Sequence, residues 1–383
     1  MMLYTFPPIR VLSVVVGIFF LLSTPRHAGA EPPIRVAIVG LVHGHVKGFF
    51  GALPGNQAAT LVAIVEPQQP LAKEYAAKYH LHAELFYADL EKMLVEQHPD
   101  AVLVYTTIAD HRKVIEIAAR HGVSSMVEKP LATTLDDALA IRAVARNSGT
   151  PERPVQVLVN YETTWYASNQ EVIAQVAAGR LGELRKVVVH DGHEGPKEIG
   201  VGPEWLPWLT DPAQNGAGAL FDFGCYGADL MTVLMHGQPP VSVTAVTQTD
   251  KPEIYPRVDD DATMILRYPK AQAVLMPSWN WSFARKDMEV YGNAGYAITV
   301  GPDRVRVRYR GDKAEPDTPL TAPPLAATQR DSLSYLAAVL HGHVQPEGDL
   351  SSLETNVVVM QILDAALRSA QTGQTVTITP LPH

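Results

Sequence analysis

An alternation running from Ile34 to Asn160 constrains the fold more than any other feature. Short apolar runs, Ile34–Val39, Leu61–Val65, Ala101–Tyr105, Ser125–Val127 and Val155–Val159, are separated by amphipathic stretches, Leu71–Tyr79, Leu90–Gln97, His111–His121 and Leu135–Asn147. Near-continuous β-branched runs are strands buried on both faces, and the intervening helices make right-handed βαβ crossovers. This half is expected to be a doubly wound parallel sheet.

After Asn160 the pattern changes. A helix, Glu171–Ala178, precedes a strand, Arg185–His190, and a loop rich in Gly, Pro and Trp runs to Ala219. A helix around Cys225–Met235 is followed by closely spaced strand-like runs: Val241–Thr247, Ala262–Tyr268, Ala271–Trp281, Met288–Tyr291, Ala297–Val300 and Val305–Tyr309. Such spacing without helices predicts an α+β region with a largely antiparallel open sheet. Gly311–Ala326 holds four prolines and reads as a surface loop; Ser332–His341 and Leu353–Ala370 are helical. The expected organisation is 31–160, the parallel half; 161–325, the α+β half; and 326–383, helices packing back on the body.

Residues 1–30 read as a cleaved signal peptide. Arg10 precedes the apolar run Val11–Leu22, too short for a comfortable membrane span, and Ala28-Gly29-Ala30 is a small-x-small cleavage site. An uncleaved anchor is the alternative. The expected location is periplasmic or secreted, by unfolded-chain export, because no twin arginine precedes the run. Removing these residues takes away Arg10 and Arg26 and no acid, so the net charge moves from −9 to −11. An acidic chain argues against nucleic acid or an anionic membrane as partner. With one cysteine, Cys225, no intramolecular disulfide forms.

The first strand ends in Gly40-Leu41-Val42-His43-Gly44-His45. A dinucleotide turn wants Gly-x-Gly-x-x-Gly here, so that backbone N–H groups approach a pyrophosphate. Only Gly40 is in place; Val42 and His45 hold the second and third positions and Gly44 is out of register. A tight turn without ligand is the competing reading. Glu66 ends the second strand, where an acid accepts from ribose hydroxyls and repels a 2′-phosphate, favouring NAD over NADP; a plain strand-end acid is the alternative.

The triplet Glu128-Lys129-Pro130 follows a strand and precedes a helix, and Gly216-Ala217-Gly218 leads into Asp222-Phe223-Gly224-Cys225-Tyr226-Gly227-Ala228-Asp229. On these motifs, and on the turn Leu181-Gly182-Glu183-Leu184, the chain resembles the Gfo/Idh/MocA oxidoreductases over essentially its whole length after residue 30. The resemblance implies a Rossmann domain and a substrate domain, with Lys129 at the nicotinamide and the reacting hydroxyl. Tyr226 stands where a histidine is usual, as in the glucose–fructose oxidoreductase and dihydrodiol dehydrogenase branches. It would be the general acid/base, its phenol pKa pulled down by Lys129, with Asp222 positioning a substrate hydroxyl; a packing tyrosine is the alternative. The expected cofactor set is Gly40, Val42, His43, Gly44, His45 and Glu66, with Thr106, Thr107, His111, Glu128 and Lys129 further along. Substrate contacts are expected from His190, His193, Asp222 and Tyr226. The cluster His190-Asp191-Gly192-His193-Glu194 fits no standard metal spacing, and no metal is expected. Cys225 reads as a buried small side chain rather than a nucleophile.

These readings together imply NAD-dependent oxidation or reduction of a secondary alcohol of a sugar, cyclitol or derivative, in a homo-oligomer. Two alternatives stay open: an NAD-dependent glycoside hydrolase with transient redox, and a non-catalytic sugar- or nucleotide-binding protein.

Overall fold

The computed structural model describes residues 1–2, 31–313 and 319–381, so the expected signal peptide lies almost wholly outside the described residues. Six strands form the first sheet: β1 (Ile34–Val39), β2 (Ala59–Val65), β3 (Phe86–Tyr87), β4 (Ala101–Val104), β5 (Ser124–Glu128) and β6 (Val157–Asn160). All pairings are parallel and the order is β3-β2-β1-β4-β5-β6. Strand order reverses between β1 and β4, and such a switch point leaves a crevice outside the carboxyl ends of the strands. The expected runs fall on these strands. Only β3 has no counterpart among them, because two residues at a sheet edge carry no pattern.

Five helices follow these strands: α1 (Val46–Ala52), α2 (Gln69–Lys78), α3 (Leu90–Gln97), α4 (His111–Arg120) and α5 (Leu135–Arg146). Local chemistry sets their ends. The Asp89 side chain accepts from Lys92 N to start α3, and Thr134 accepts from Asp137 N to start α5.

In the second half, α6 (Ala167–Ala177) leads to a nine-stranded sheet. Its strands are β7 (Leu184–Gly192), β8 (Ser242–Gln248), β9 (Asp261–Arg267), β10 (Gln272–Ser278), β11 (Arg285–Gly292), β12 (Gly295–Thr299), β13 (Arg304–Tyr309), β14 (Leu320–Thr321) and β15 (Val376–Thr377). The order is β14-β13-β12-β11-β7-β10-β9-β8-β15, antiparallel except where β7 lies parallel to β10. Side chains alternate across each strand, so Val187, Val189 and Asp191 share the buried face of β7, and Lys286, Met288 and Val290 share that of β11. Helix α7 (Gly224–Leu234) packs on this face.

The chain closes with α8 (Ser332–Leu340) and α9 (Leu353–Thr372). Leu333, Tyr335 and Leu336 of α8 join a core with Phe49, Phe50 and Tyr75 of the first half. Helix α9 packs against α5 of the first half and against α7 and β8 of the second. Pro33–His383 accordingly form one compact unit, and the boundary near residue 160 is a change of architecture. Among the described residues no helix is long and apolar enough to cross a membrane.

Candidate active site

β5 is buried along its length, so the chain leaves it with Glu128 and Lys129 at the carboxyl ends of the parallel strands. Lys129 Nζ donates to the Asp222 carboxylate and, at 2.9 Å, to the Asp222 backbone carbonyl. The second carboxylate oxygen accepts from Trp279 Nε1 at 3.0 Å. Burial would lower the Lys129 pKa and raise that of Asp222. Burial is the largest single influence on each, but the partner's charge, the hydrogen bonds between them and further neighbours together outweigh it, so Lys129 is held above its ordinary value and Asp222 below. They form a buried ion pair.

Tyr226, in the first turn of α7, lies beside this pair. Lys129 Nζ and Lys286 Nζ each stand 5.2 Å from its ring centre. Phe223 stacks on the ring at 5.8 Å and Tyr161 meets it edge-on at 5.3 Å. The expected lowering of its phenol pKa is corrected here. Burial pushes Tyr226 well above the ordinary phenol value, with the Cys225, Glu162 and Asp222 sites adding to it, while Lys129 is matched to Asp222. The buried Cys225 thiol is likewise pushed up by burial, which leaves it a poor nucleophile.

The second sheet supplies Lys286, which sequence reasoning left out of the site, and Asp191, which it named only within the His190–Glu194 cluster. Lys286 and Asp191 are cross-strand partners on the inner face, and Lys286 pairs with Glu162. One Asp191 oxygen is buried without a hydrogen-bond partner, and burial holds this carboxyl well above its ordinary range. His193 meets Phe223 edge-on at 4.9 Å and so joins the cluster. His190 does not. It sits on the opposite face of β7 from Asp191, with Nδ1 3.1 Å from Asp287. His190, expected among the substrate contacts, therefore lies outside the cluster, and Asp191, one residue on, faces it, because β alternation sends adjacent side chains to opposite faces. Extending the alternation of Met288 and Val290 back by two residues would have revealed Lys286.

At the other end of the crevice, Gly40 turns through φ +83°, and a Cβ there would lie 2.7 Å from Thr106 Cγ2. Only glycine passes. Glu66 is buried, with its carboxylate accepting from Leu41 N at 2.9 Å and Gln68 N at 2.8 Å. Thr106 and Thr107 make local hydrogen bonds in the turn after β4, and His111 lies buried at the start of α4 with Nδ1 3.2 Å from Leu131 O. A cover lies over the turn. Trp205 packs on His43 and His45 at 4.8 and 5.2 Å between ring centres, and a Cβ on Gly44 would land on its ring. Trp208 Nε1 reaches Val42 O at 3.3 Å, and Lys47 pairs with Glu204 at 2.7 Å.

Comparison with known proteins places this geometry. Residues 34–156 match the oxidoreductase family with an NAD-binding Rossmann fold, and residues 169–298 match the GFO/IDH/MocA carboxy-terminal domain. The chain belongs to the Gfo/Idh/MocA oxidoreductase family. It is similar to the trans-1,2-dihydrobenzene-1,2-diol dehydrogenase of Xenopus tropicalis, 23% identical over 80% of this chain and 89% of that protein. It is also similar to the 1,5-anhydro-D-fructose reductase of Ensifer adhaerens, 26% identical over 74% of this chain and 81% of that one. Among solved structures, the aldose-aldose oxidoreductase of Caulobacter crescentus complexed with glycerol superposes with a TM-score of 0.74. It is 25% identical, covering 90% of this chain and all (100%) of that one.

Within the Gfo/Idh/MocA frame the amino-terminal half is an NAD-binding Rossmann domain. Its residues fit a dinucleotide at the two ends of the crevice. Gly40 lets the turn cross the strand ends, and Glu66 places a carboxylate at the end of β2. Backbone groups of 40–45, Glu66, Thr106, Thr107 and Lys129 would hold it. The segment 202–211 lies across the turn through Trp205, Trp208 and Glu204.

Proposed function

We propose that this chain is an NAD-dependent oxidoreductase acting at a secondary alcohol carbon of a sugar, cyclitol or related diol. The observation that carries this reading is the Lys129–Asp222 pair beside the Tyr226 ring at the ends of β5 and α7. Bound NAD would supply the hydride acceptor or donor. The chain's residues handle the oxygen. Lys129, kept an ammonium by Asp222, stabilises negative charge as it develops on the substrate oxygen. Tyr226, kept protonated by burial, donates a proton to that oxygen in the reductive direction. The 1,5-anhydro-D-fructose reductase relationship supports the same direction. Asp191, His193 and Lys286 surround the pair with the mixed donors and acceptors that a polyol needs.

The test is a panel of ketoses, aldoses, cyclitols and diols followed by nicotinamide absorbance, with Tyr226→Phe and Lys129→Ala beside the parent. Loss of turnover of about 10²-fold or more in each supports the assignment. Full turnover in both on a confirmed substrate would sink it. The covered turn favours one second reading, a retained and recycled NAD serving glycoside cleavage. That reading needs cleavage without net reduced nicotinamide. We also propose export with removal of residues 1–30, and pairing of the outer sheet face, where Val246 and Ile265 are exposed, with a second copy. An intact mass starting at Glu31 and light scattering above the monomer mass check both.

A further inference from the structure

We propose that His43, His45 and Glu128 form a binding site for a divalent first-row transition metal, at the point where this chain departs from the glycine fingerprint. His45 stands at the third glycine position, and His43, two residues before it, brings a second imidazole to the same turn. Their rings lie 4.7 Å apart at 61°. His45 Nδ1 is 2.8 Å from Glu128 Oε2. One nitrogen from each histidine and one Glu128 oxygen all lie within 4.8 Å of one another. Ligand atoms around a tetrahedral zinc, each about 2.0–2.1 Å from the ion, are about 3.3 Å apart, so the metal would replace the His45–Glu128 hydrogen bond, that pair opening slightly while His43 draws in. Two imidazoles and a carboxylate suit zinc, iron, cobalt or nickel better than calcium or magnesium.

Two further features match a built site. The second Glu128 oxygen accepts from Asn160 Nδ2 at 3.0 Å, the outer-shell bond that orients a ligating carboxylate. His43 is held by Trp205 and by Trp208, the latter 5.4 Å between ring centres. His111, also buried, has an Nε2 with no hydrogen-bond partner, while its Nδ1 is engaged with Leu131 O. The cationic neighbour, Lys129, is already neutralised by Asp222.

The site opens on one side. His45 and Glu128 line a cavity of about 620 Å³ shared with Asn160, Glu162, Trp165 and Arg330. A three-ligand site facing a cavity leaves a coordination position for water or a substrate oxygen, the arrangement of catalytic rather than structural zinc. Through its pairing with Lys286, Glu162 connects this cavity to the Tyr226 cluster. The proposal does not depend on hydride transfer.

The test uses the untagged protein, stripped with chelator and titrated with Zn²⁺ by calorimetry, with His45→Ala, Glu128→Gln and the surface control His121→Ala. Expected is one Zn²⁺ per chain at micromolar affinity or tighter, weakened at least tenfold in the first two variants and unchanged in the control. Zinc should also raise the melting temperature of the parent but not of His45→Ala. Circular dichroism checks folding; if one variant fails it, the other decides. No binding, fractional stoichiometry or equal affinity in both folded variants overturns the site. NAD affinity is measured on the same samples. NAD binding without zinc binding defeats this proposal and leaves the oxidoreductase reading standing; zinc binding without NAD does the reverse.

Discussion

Both carboxylate oxygens of Asp229 are buried in α7 without a hydrogen-bond partner. Burial, and then the charge of Asp349, hold this group well above the ordinary aspartate range. The folded protein therefore retains a proton that the unfolded chain releases. Stability linked to Asp229 is complete below the unfolded value and falls as pH rises from there towards the folded value. Asp229→Asn removes that slope. The variant should match the parent near pH 4 and exceed it by at least about 1 kcal/mol at pH 7, since a tenfold difference in proton affinity between folded and unfolded chain is worth about 1.4 kcal/mol. Denaturant titrations across that range check it; a variant less stable than the parent at pH 7 means that Asp229 has an ionised role. Lys129, Asp222 and Tyr226 were legible in the sequence because short motifs mark them. Lys286 was not, since only register across two strands brings it beside Asp191.

At the level of elements, the parallel strands were legible because burial on both faces writes a run that needs no tertiary knowledge. The segment between β7 and α7 was opaque. Its tryptophans have no period, and what they cover is more than 150 residues away in sequence. This segment is expected to control cofactor exchange. Trp205→Ala removes the ring lying on Gly44 and His43 while leaving the Lys47–Glu204 pair and the Trp208 hydrogen bond in place. NAD dissociation should become about tenfold faster with a smaller change in association, as is usual when a contact is lost from a preformed complex. Stopped-flow fluorescence of NADH release measures this. An unchanged release rate would mean that the segment opens too readily to hold the cofactor.

Across the whole molecule, the site exists only because two sheets face each other. Lys129 comes from the end of β5, Tyr226 from α7 and Lys286 from β11. Helix α9 holds that arrangement from behind, packing on α5, α7 and β8, with Tyr161 Oη donating to Asn356 Oδ1 at 2.9 Å across the junction. Such an interlock couples the stability of both halves, whereas a Rossmann domain joined by a linker would open by itself. Leu363, fully buried on α9, should reveal the coupling. Leu363→Ala leaves a cavity and is expected to cost about 2–5 kcal/mol. In native-state hydrogen exchange, the slowest amides of β1 and β4 should lose protection by the same free energy as those of β7 and β10. Loss confined to the second sheet would show that the halves unfold separately. Their alignment at Lys129 and Tyr226 would then depend on bound cofactor rather than on the fold.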